Sequence, residues 1–152
     1  MMSERKNSLL LSTIIAAALV MMTSCSRLPI YSHFETVGAD SWDRTDTLRF
    51  IVPIPHDGIY DMHLDLRADS RYPYTQLMLT VLTPHPLPFT IDITDEEGNF
   101  QGRGSGIFQY TVALPSNQLT KGDTLTISVA HGMSRQVLPG IQDVGITVEE
   151  KE

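Results

Sequence analysis

Alternating apolar and polar positions recur along the chain from about residue 47 and predict a series of short β-strands. The clearest alternation runs from 58 to 67. Every second residue from Tyr60 to Leu66 is apolar there, and the residues between them are charged or polar. Because successive side chains of a strand point to opposite faces, this segment is expected to have one buried face and one wet face.

Six further segments have the apolar, β-branched character of strands: 48–54, 74–83, 89–94, 108–114, 125–129 and 144–149. Glycine, proline, asparagine and aspartate separate them, as is typical of turns. No stretch after residue 24 shows helical periodicity. About seven or eight strands at roughly ten-residue spacing predict an all-β fold, an antiparallel β-sandwich of immunoglobulin-like or jelly-roll type.

The first 24 residues have the pattern of a cleaved secretory signal. Arg5 and Lys6 precede an apolar run over residues 9–22, and small polar residues follow it up to Cys25. This run is shorter than the roughly 20 residues that a membrane-spanning helix needs. The sequence therefore predicts three parts: a lipoprotein signal peptide (1–24), a lipid-anchored tether without periodicity (25–46) and the β-sandwich domain (47–152).

Cys25 is the only cysteine, and it stands where cleavage would make it the first residue of the mature protein. An unpaired reactive thiol is a liability in an oxidising compartment, which favours lipidation of Cys25 over an ordinary export signal followed by a free thiol. Two or more acyl chains would hold the protein on a membrane almost irreversibly. No disulfide can then form, so a hydrophobic core has to stabilise the fold.

Charge narrows the range of partners. The chain has 11 basic and 18 acidic side chains; the signal contains two of the former and one of the latter, which leaves 9 against 17, or −8. Nucleic acid is excluded as an expected partner because phosphate binding requires clustered lysine and arginine. The net negative charge also disfavours peripheral binding to anionic lipid, so membrane attachment should come from the acyl chains on Cys25.

Two acidic clusters contain residue types that can bind metal ions. Asp61, His63 and Asp65 share one face of a predicted strand, but a solvated outer face explains them better than a metal site, which usually draws ligands from several elements. The segment from Asp92 to Gly98 departs from the spacing of a calcium loop, and a plain hairpin turn explains it better. We expect no metal and no cofactor.

The sequence also gives no pattern that calls for catalysis. The glycine-rich segment 102–106 lacks the Lys-Ser/Thr ending of a phosphate-binding loop and precedes a strand instead of a helix. Ser105 does not stand in a Gly-x-Ser-x-Gly elbow. We therefore expect a binding protein and not an enzyme.

The best candidates for binding a protein partner form a Tyr-Arg cluster near one turn. The expected contact residues are Arg67, Arg71, Tyr72 and Tyr74, with Arg135 from a later crossover. Tyrosine and arginine are enriched at binding hot spots. The alternative for this cluster is structural: the rings pack over the end of the sandwich while an arginine neutralises Asp69.

Trp42 also has two interpretations. As a single large aromatic among aspartates, it is expected to plug one end of the core, and the alternative is a solvent-facing ligand platform. A flat platform of Trp42, Tyr72 and Tyr74 would favour a different function, that of a carbohydrate-binding lipoprotein module in a glycan-uptake system. A buried Trp42 would count against that function.

Several short motifs occur together in one order along the mature chain. They are Trp42-Asp43, Leu66-Arg67, Tyr72-Pro73-Tyr74, Asp95 with Gly98, Gly102-Arg103-Gly104, and Leu138-Pro139-Gly140-Ile141-Gln142-Asp143-Val144-Gly145. With the cysteine that follows Met22-Thr23-Ser24, this series resembles the gliding motility lipoprotein family GldH of the Bacteroidota.

The resemblance implies an outer-membrane lipoprotein linked to the gliding machinery and, through it, to type IX secretion. It brings no catalytic residues with it. Surface-exported lipoproteins of this phylum resemble one another in carrying acidic residues just after the cysteine. The segment after Cys25 reads Ser-Arg-Leu-Pro instead, so we expect the protein on the periplasmic face of the outer membrane. The sequence thus predicts a non-catalytic accessory or scaffold protein that binds other protein components of an envelope machine.

Overall fold

The computed structural model describes residues 28–38 and 41–151, and its regular elements are all β-strands. The predicted signal peptide and Cys25 lie outside these residues. The described residues form β1 (Tyr31–Thr36), β2 (Ser41–Asp43), β3 (Leu48–Pro53), β4 (Gly58–Asp69), β5 (Gln76–Leu82), β6 (Pro86–Asp92), β7 (Arg103–Ser105), β8 (Ile107–Leu119), β9 (Thr124–His131), β10 (Val137–Pro139) and β11 (Ile141–Glu150).

The strands build two main antiparallel sheets around one core. The first has the order β1-β11-β4-β8-β7, the second has the order β3-β9-β5-β6, and β10 and β2 form a short pair. The predicted all-β antiparallel sandwich is therefore confirmed. Eight strands have six or more residues, which matches the expected number, and β2, β7 and β10 have three residues each. Three residues are too few to show an alternating pattern.

β4 is the centre of the first sheet, between β11 and β8. Its predicted inward face is confirmed, because Tyr60, Met62, Leu64 and Leu66 are all fully buried. Burying a large apolar side chain stabilises a fold by roughly 1.5–3 kcal/mol. One core cluster contains these residues together with inward-facing residues of the second sheet, such as Leu79 and Ile127.

The expected tether is wrong over residues 31–36 and 41–43, which form strands. β1 pairs along its whole length with β11, from Tyr31 opposite Val148 to Thr36 opposite Asp143. β1 is an edge strand that is held by backbone hydrogen bonds and leaves only part of each side chain buried, so it needs no apolar alternation. Val37, directly after it, is a core residue.

The strand directions give the sandwich two distinct ends. At the entry end, Tyr31 lies beside Val148, and Gly58 lies beside Leu119. At the far end, Asp69 lies beside Ile107. β4 spans the distance between the two ends with twelve residues.

Candidate functional site

The far end is assembled where the turn after β4 meets the segment between β10 and β11. The amide of Asp69 donates to the carbonyl oxygen of Gly140 at 2.8 Å. Gly140 has φ +81°, and a Cβ there would overlap the backbone nitrogen of Tyr72. Only glycine suits this left-handed conformation and this close approach. Two of the motifs that carry the family resemblance are therefore packed directly against each other.

Tyr72 is part of the core, which corrects its assignment as a contact residue. Its side chain is 4% exposed, and its hydroxyl donates to the carbonyl oxygen of Gln76 at 2.8 Å. Burial raises the pKa of this hydroxyl, and the neighbouring Tyr74 adds to the effect. The Tyr74 ring meets Tyr72 edge to face, with centroids 5.8 Å apart, and is itself 37% exposed. Of the two rings, Tyr74 is the one that reaches the surface.

Arg71 neutralises Asp69, as the structural alternative for the cluster requires. Its Nε and Nη2 lie 3.0 and 2.9 Å from Oδ2 of Asp69, and its amide donates to Oδ1 at 2.8 Å. Gln142 adds a hydrogen bond to Oδ2 at 2.7 Å. Burial alone would raise the pKa of Asp69, but the hydrogen bonds and charge of Arg71 outweigh it and hold that pKa below its usual value. Arg71 thus positions the turn.

Arg67 lies on the outer face of the first sheet. Its guanidinium stacks 4.1 Å from the centroid of the Phe34 ring, and Nη1 lies 3.6 Å from Oδ2 of Asp143. The Phe34 ring in turn covers Gly145, where a Cβ would come within 2.7 Å of it. These contacts join β1, β11 and β4, and neither tyrosine takes part in them.

Arg135 lies in the exposed loop between β9 and β10. Its neighbour Gln136 holds the loop in place, because Nε2 donates to Oδ1 of Asp43 at 2.8 Å and the Gln136 carbonyl accepts from the amide of Arg44 at 2.8 Å. The Arg135 side chain forms no hydrogen bond or ion pair within the described part of the chain. It is therefore an exposed cation on this loop.

Trp42 plugs the core at this end, as predicted. It is fully buried, its Nε1 donates to the carbonyl oxygen of Asp46 at 2.9 Å, and its ring meets His131 edge to face at 5.3 Å. With Trp42 and Tyr72 both buried, the flat aromatic platform that would favour carbohydrate binding does not form.

The two acidic clusters have structural roles. Asp61 accepts a hydrogen bond from Ser116 and lies 3.4 Å from Nζ of Lys151. Asp65, expected on a solvated face, is only 7% exposed, because Thr111 and Thr147 on the flanking strands donate to it at 2.6 and 3.1 Å. Asp95 closes a turn.

That turn matches the predicted hairpin. The amide of Gly98 donates to the carbonyl of Asp95, and the side chain and amide of Asn99 donate to the Asp95 carboxylate at 3.0 and 2.8 Å. These hydrogen bonds, led by that of the Asn99 side chain, hold the pKa of Asp95 below its usual value. Among residues 28–38 and 41–151, no group of three metal-binding side chains is placed to hold an ion.

Two surface hollows that the sequence pattern does not predict adjoin at Thr75 and Gln76, next to Tyr74. One half, about 440 Å³, is lined by Pro73, Tyr74, Thr75, Gln76, Met78 and Met133. The other half, about 740 Å³, shares two of these residues and is lined by Thr75, Gln76, Asp92, Thr94, Asp95, Glu96, Glu97 and Gln101. We name the whole the Tyr74 groove. Its two sides come from segments far apart in sequence, so no local pattern indicates it.

Comparisons with known proteins agree with the series of motifs. The chain is 24% identical over 155 residues to the gliding motility lipoprotein GldH of Flavobacterium johnsoniae, covering 93% of this chain and 97% of that protein. It is 22% identical over 150 residues to a GldH homologue of Christiangramia forsetii, covering 88% and 91%. None of the described residues form a helix that could span a membrane.

Among solved structures, a GH115 4-O-methyl-α-glucuronidase with specificity for decorated arabinogalactans contains a similar fold. The TM-score is 0.50 at 12% identity, over 85% of this chain but only 18% of that chain, so the likeness concerns the fold alone. The sequence model of the GldH lipoprotein family matches residues 29–148, and the chain belongs to this family.

Proposed function

We propose that the chain is a lipid-anchored accessory component of the gliding machinery, attached to the outer membrane through acyl chains on Cys25 and facing the periplasm. It acts by binding another protein of that machine, which is coupled to type IX secretion, and it needs no cofactor and catalyses no reaction. Family membership and the names of the two relatives support this proposal.

The observation that carries the proposal is the position of the far end relative to the anchor. The amide of Ile30 donates to the carbonyl of Val148 at the entry end. Cys25 precedes Ile30 by five residues, which span at most about 18 Å. Lipidated Cys25 would hold the entry end near the membrane. Val148 lies beside Met62 of β4, and the eight residues from Met62 to Asp69 extend roughly 25 Å from there, so the far end would project away from the lipid.

The exposed side chains of the far end provide the proposed contact surface. Tyr74 and Arg135 are exposed and would contact the partner directly. Arg67 is partly exposed and would lie at the margin. Arg71 and Tyr72 shape the turn from which Tyr74 projects. Tyrosine and arginine contribute disproportionately to protein interfaces because they bury large areas and form directed hydrogen bonds.

The test is affinity purification of the full-length lipoprotein from crosslinked cells, followed by mass spectrometry. We expect recovery of gliding or type IX secretion components with the wild-type chain, and reduced recovery with a Tyr74→Ala variant of equal abundance. Recovery of polysaccharide-uptake proteins, or of glycan alone, would contradict the proposal. A Glu149→Ala variant, altered at the entry end, is the matched control and should behave as the wild type.

A further inference from the structure

We propose that the Tyr74 groove binds an extended segment of a partner protein in which an aromatic or aliphatic side chain stands beside lysine or arginine. This inference rests on the protein-binding function proposed above and adds the chemistry of the partner. The inference follows from the difference between the two halves of the groove, one lined by apolar side chains and the other by carboxylates, and from the hydrogen-bonded floor that joins them.

Four of the six residues that line the first half of the groove are largely apolar, and two of these four are flexible methionines. Tyr74 and Met78 are 37% and 47% exposed, so both offer apolar surface to a partner at the same place. The sulfur of Met133 lies 3.4 Å from the amide of Met78 and closes one side. Methionine side chains adjust to partners of different shape. This half therefore suits one apolar side chain of a partner.

The second half is strongly acidic. Four carboxylates line it, from Asp92, Asp95, Glu96 and Glu97, and no lysine or arginine lines either half. Asp92 accepts a hydrogen bond from Gln76. The side chains of Glu96 and Glu97 have no hydrogen-bond or ion-pair partner within the described residues. Charge complementarity therefore favours a cationic partner segment here.

The floor between the halves is fixed by hydrogen bonds and needs little rearrangement on binding. The carbonyl of Thr75 accepts from the amides of Ile93 and Thr94 at 2.7 and 3.2 Å. The carbonyl of Gln76 accepts from the hydroxyl of Tyr72, and its side chain donates to Asp92 at 2.8 Å. A preformed groove avoids the entropy cost of ordering loops. The fixed floor also sets the spacing between the apolar and the cationic group of the partner.

A peptide fits these features better than a glycan does. Tyr74 is the single aromatic side chain that lines the groove, whereas a sugar ring generally needs a flat aromatic face for stacking. A neutral glycan would also leave the four carboxylates without cations.

The test uses the full-length lipoprotein in detergent and three short fluorescent peptides. The first has Phe and Leu flanked by lysines, the second has the same apolar residues flanked by glutamates, and the third keeps the lysines but has serine in place of Phe and Leu. Anisotropy titrations should show at least about tenfold tighter binding of the first peptide than of either other. Equal binding of all three, or displacement of the first by soluble oligosaccharides, would overturn the proposal.

Charge reversal provides the specific control. The double variant Glu96→Lys with Glu97→Lys should bind the lysine peptide about tenfold more weakly and the glutamate peptide more tightly. Glu149→Lys, an exposed position beside Asp61 on the first sheet, should change neither affinity. If the double variant still prefers the lysine peptide as strongly as the wild type does, the groove is not the binding site. If gliding components still co-purify with the wild type, the proposed function survives that result; if none co-purify, the proposed function itself fails.

Discussion

Gly140 and the backbone of Tyr72 are in such close contact that no other residue fits at position 140. A Cβ at Gly140 would overlap the Tyr72 nitrogen and lie 2.7 Å from the carbonyl carbon of Arg71. This contact attaches the segment before β11 to the turn that carries Tyr74. The far end of the sandwich is therefore one rigid body built from two distant parts of the chain.

Replacing Gly140 by alanine should destabilise the fold more than replacing a glycine of similar conformation elsewhere. Gly98 has φ +88°, and a Cβ at that position would meet nothing within 4 Å, so Gly98→Ala should cost only the conformational penalty of about 1 kcal/mol. Gly140→Ala adds a backbone overlap and should cost at least about twice as much. Urea unfolding followed by circular dichroism measures both; equal losses would contradict the close contact.

Stability should decrease as the pH falls through the range in which His131 would gain a proton. His131 is buried against Trp42, and burial lowers its pKa below the ordinary 6.5. The unfolded chain therefore binds a proton first, so the stability that the neutral ring contributes is complete above about pH 6.5 and is lost as the pH falls towards the folded-state pKa. We would measure the free energy of unfolding in urea at several pH values between about 7 and 5. In a folded His131→Leu variant this free energy should fall less steeply with decreasing pH than in the wild type. The same pH dependence of unfolding in the variant and the wild type would show that His131 is not the group responsible.

Substitutions of Tyr72 should affect mainly the stability of the fold, whereas substitutions of Tyr74 should affect mainly partner binding. Tyr72→Phe removes the hydrogen bond to the Gln76 carbonyl and should cost about 1 kcal/mol. Tyr74→Phe removes a hydroxyl with no partner among the described residues and should change the free energy of unfolding by less than about 0.5 kcal/mol. Tyr74→Ala should leave the chain folded and weaken partner capture. Loss of folding in Tyr74→Ala would mean that its role is structural.

Cys25→Ala should release the protein from the membrane. Without the thiol, acyl chains cannot be attached at this position. The acidic domain is not expected to bind lipid by itself. Cell fractionation should find the variant in the soluble fraction and the wild type in the membrane fraction, with intact-mass spectrometry of the wild type showing a lipid-modified residue. A variant that stays in washed membranes would show a second attachment.

The long strands could be predicted from the sequence because their burial is one-sided. β4 alternates along its whole inward face, and that pattern is a direct consequence of the strand period. β1 could not be predicted in this way, since an edge strand pairs through its backbone and its side chains are only partly buried. β2 and β10 are too short to have a period.

The candidate site is predictable only in part. Composition draws attention to the turn that carries Tyr74, but the burial of Tyr72 depends on Gly140, almost 70 residues later in the chain. The burial of Asp65 escapes prediction for the same reason: the threonines that cover it belong to other strands. The Tyr74 groove joins residues from Pro73 to Met133 and has no local signature.

The most direct test of a protein-binding far end is site-specific photocrosslinking in living cells. A photoreactive amino acid would replace Tyr74 at the far end or Ile59 at the entry end, which have comparable exposures of 37% and 46%. We predict covalent adducts with a gliding or type IX secretion component from position 74 and none from position 59. Adducts from position 59 alone, or from neither position, would contradict the account.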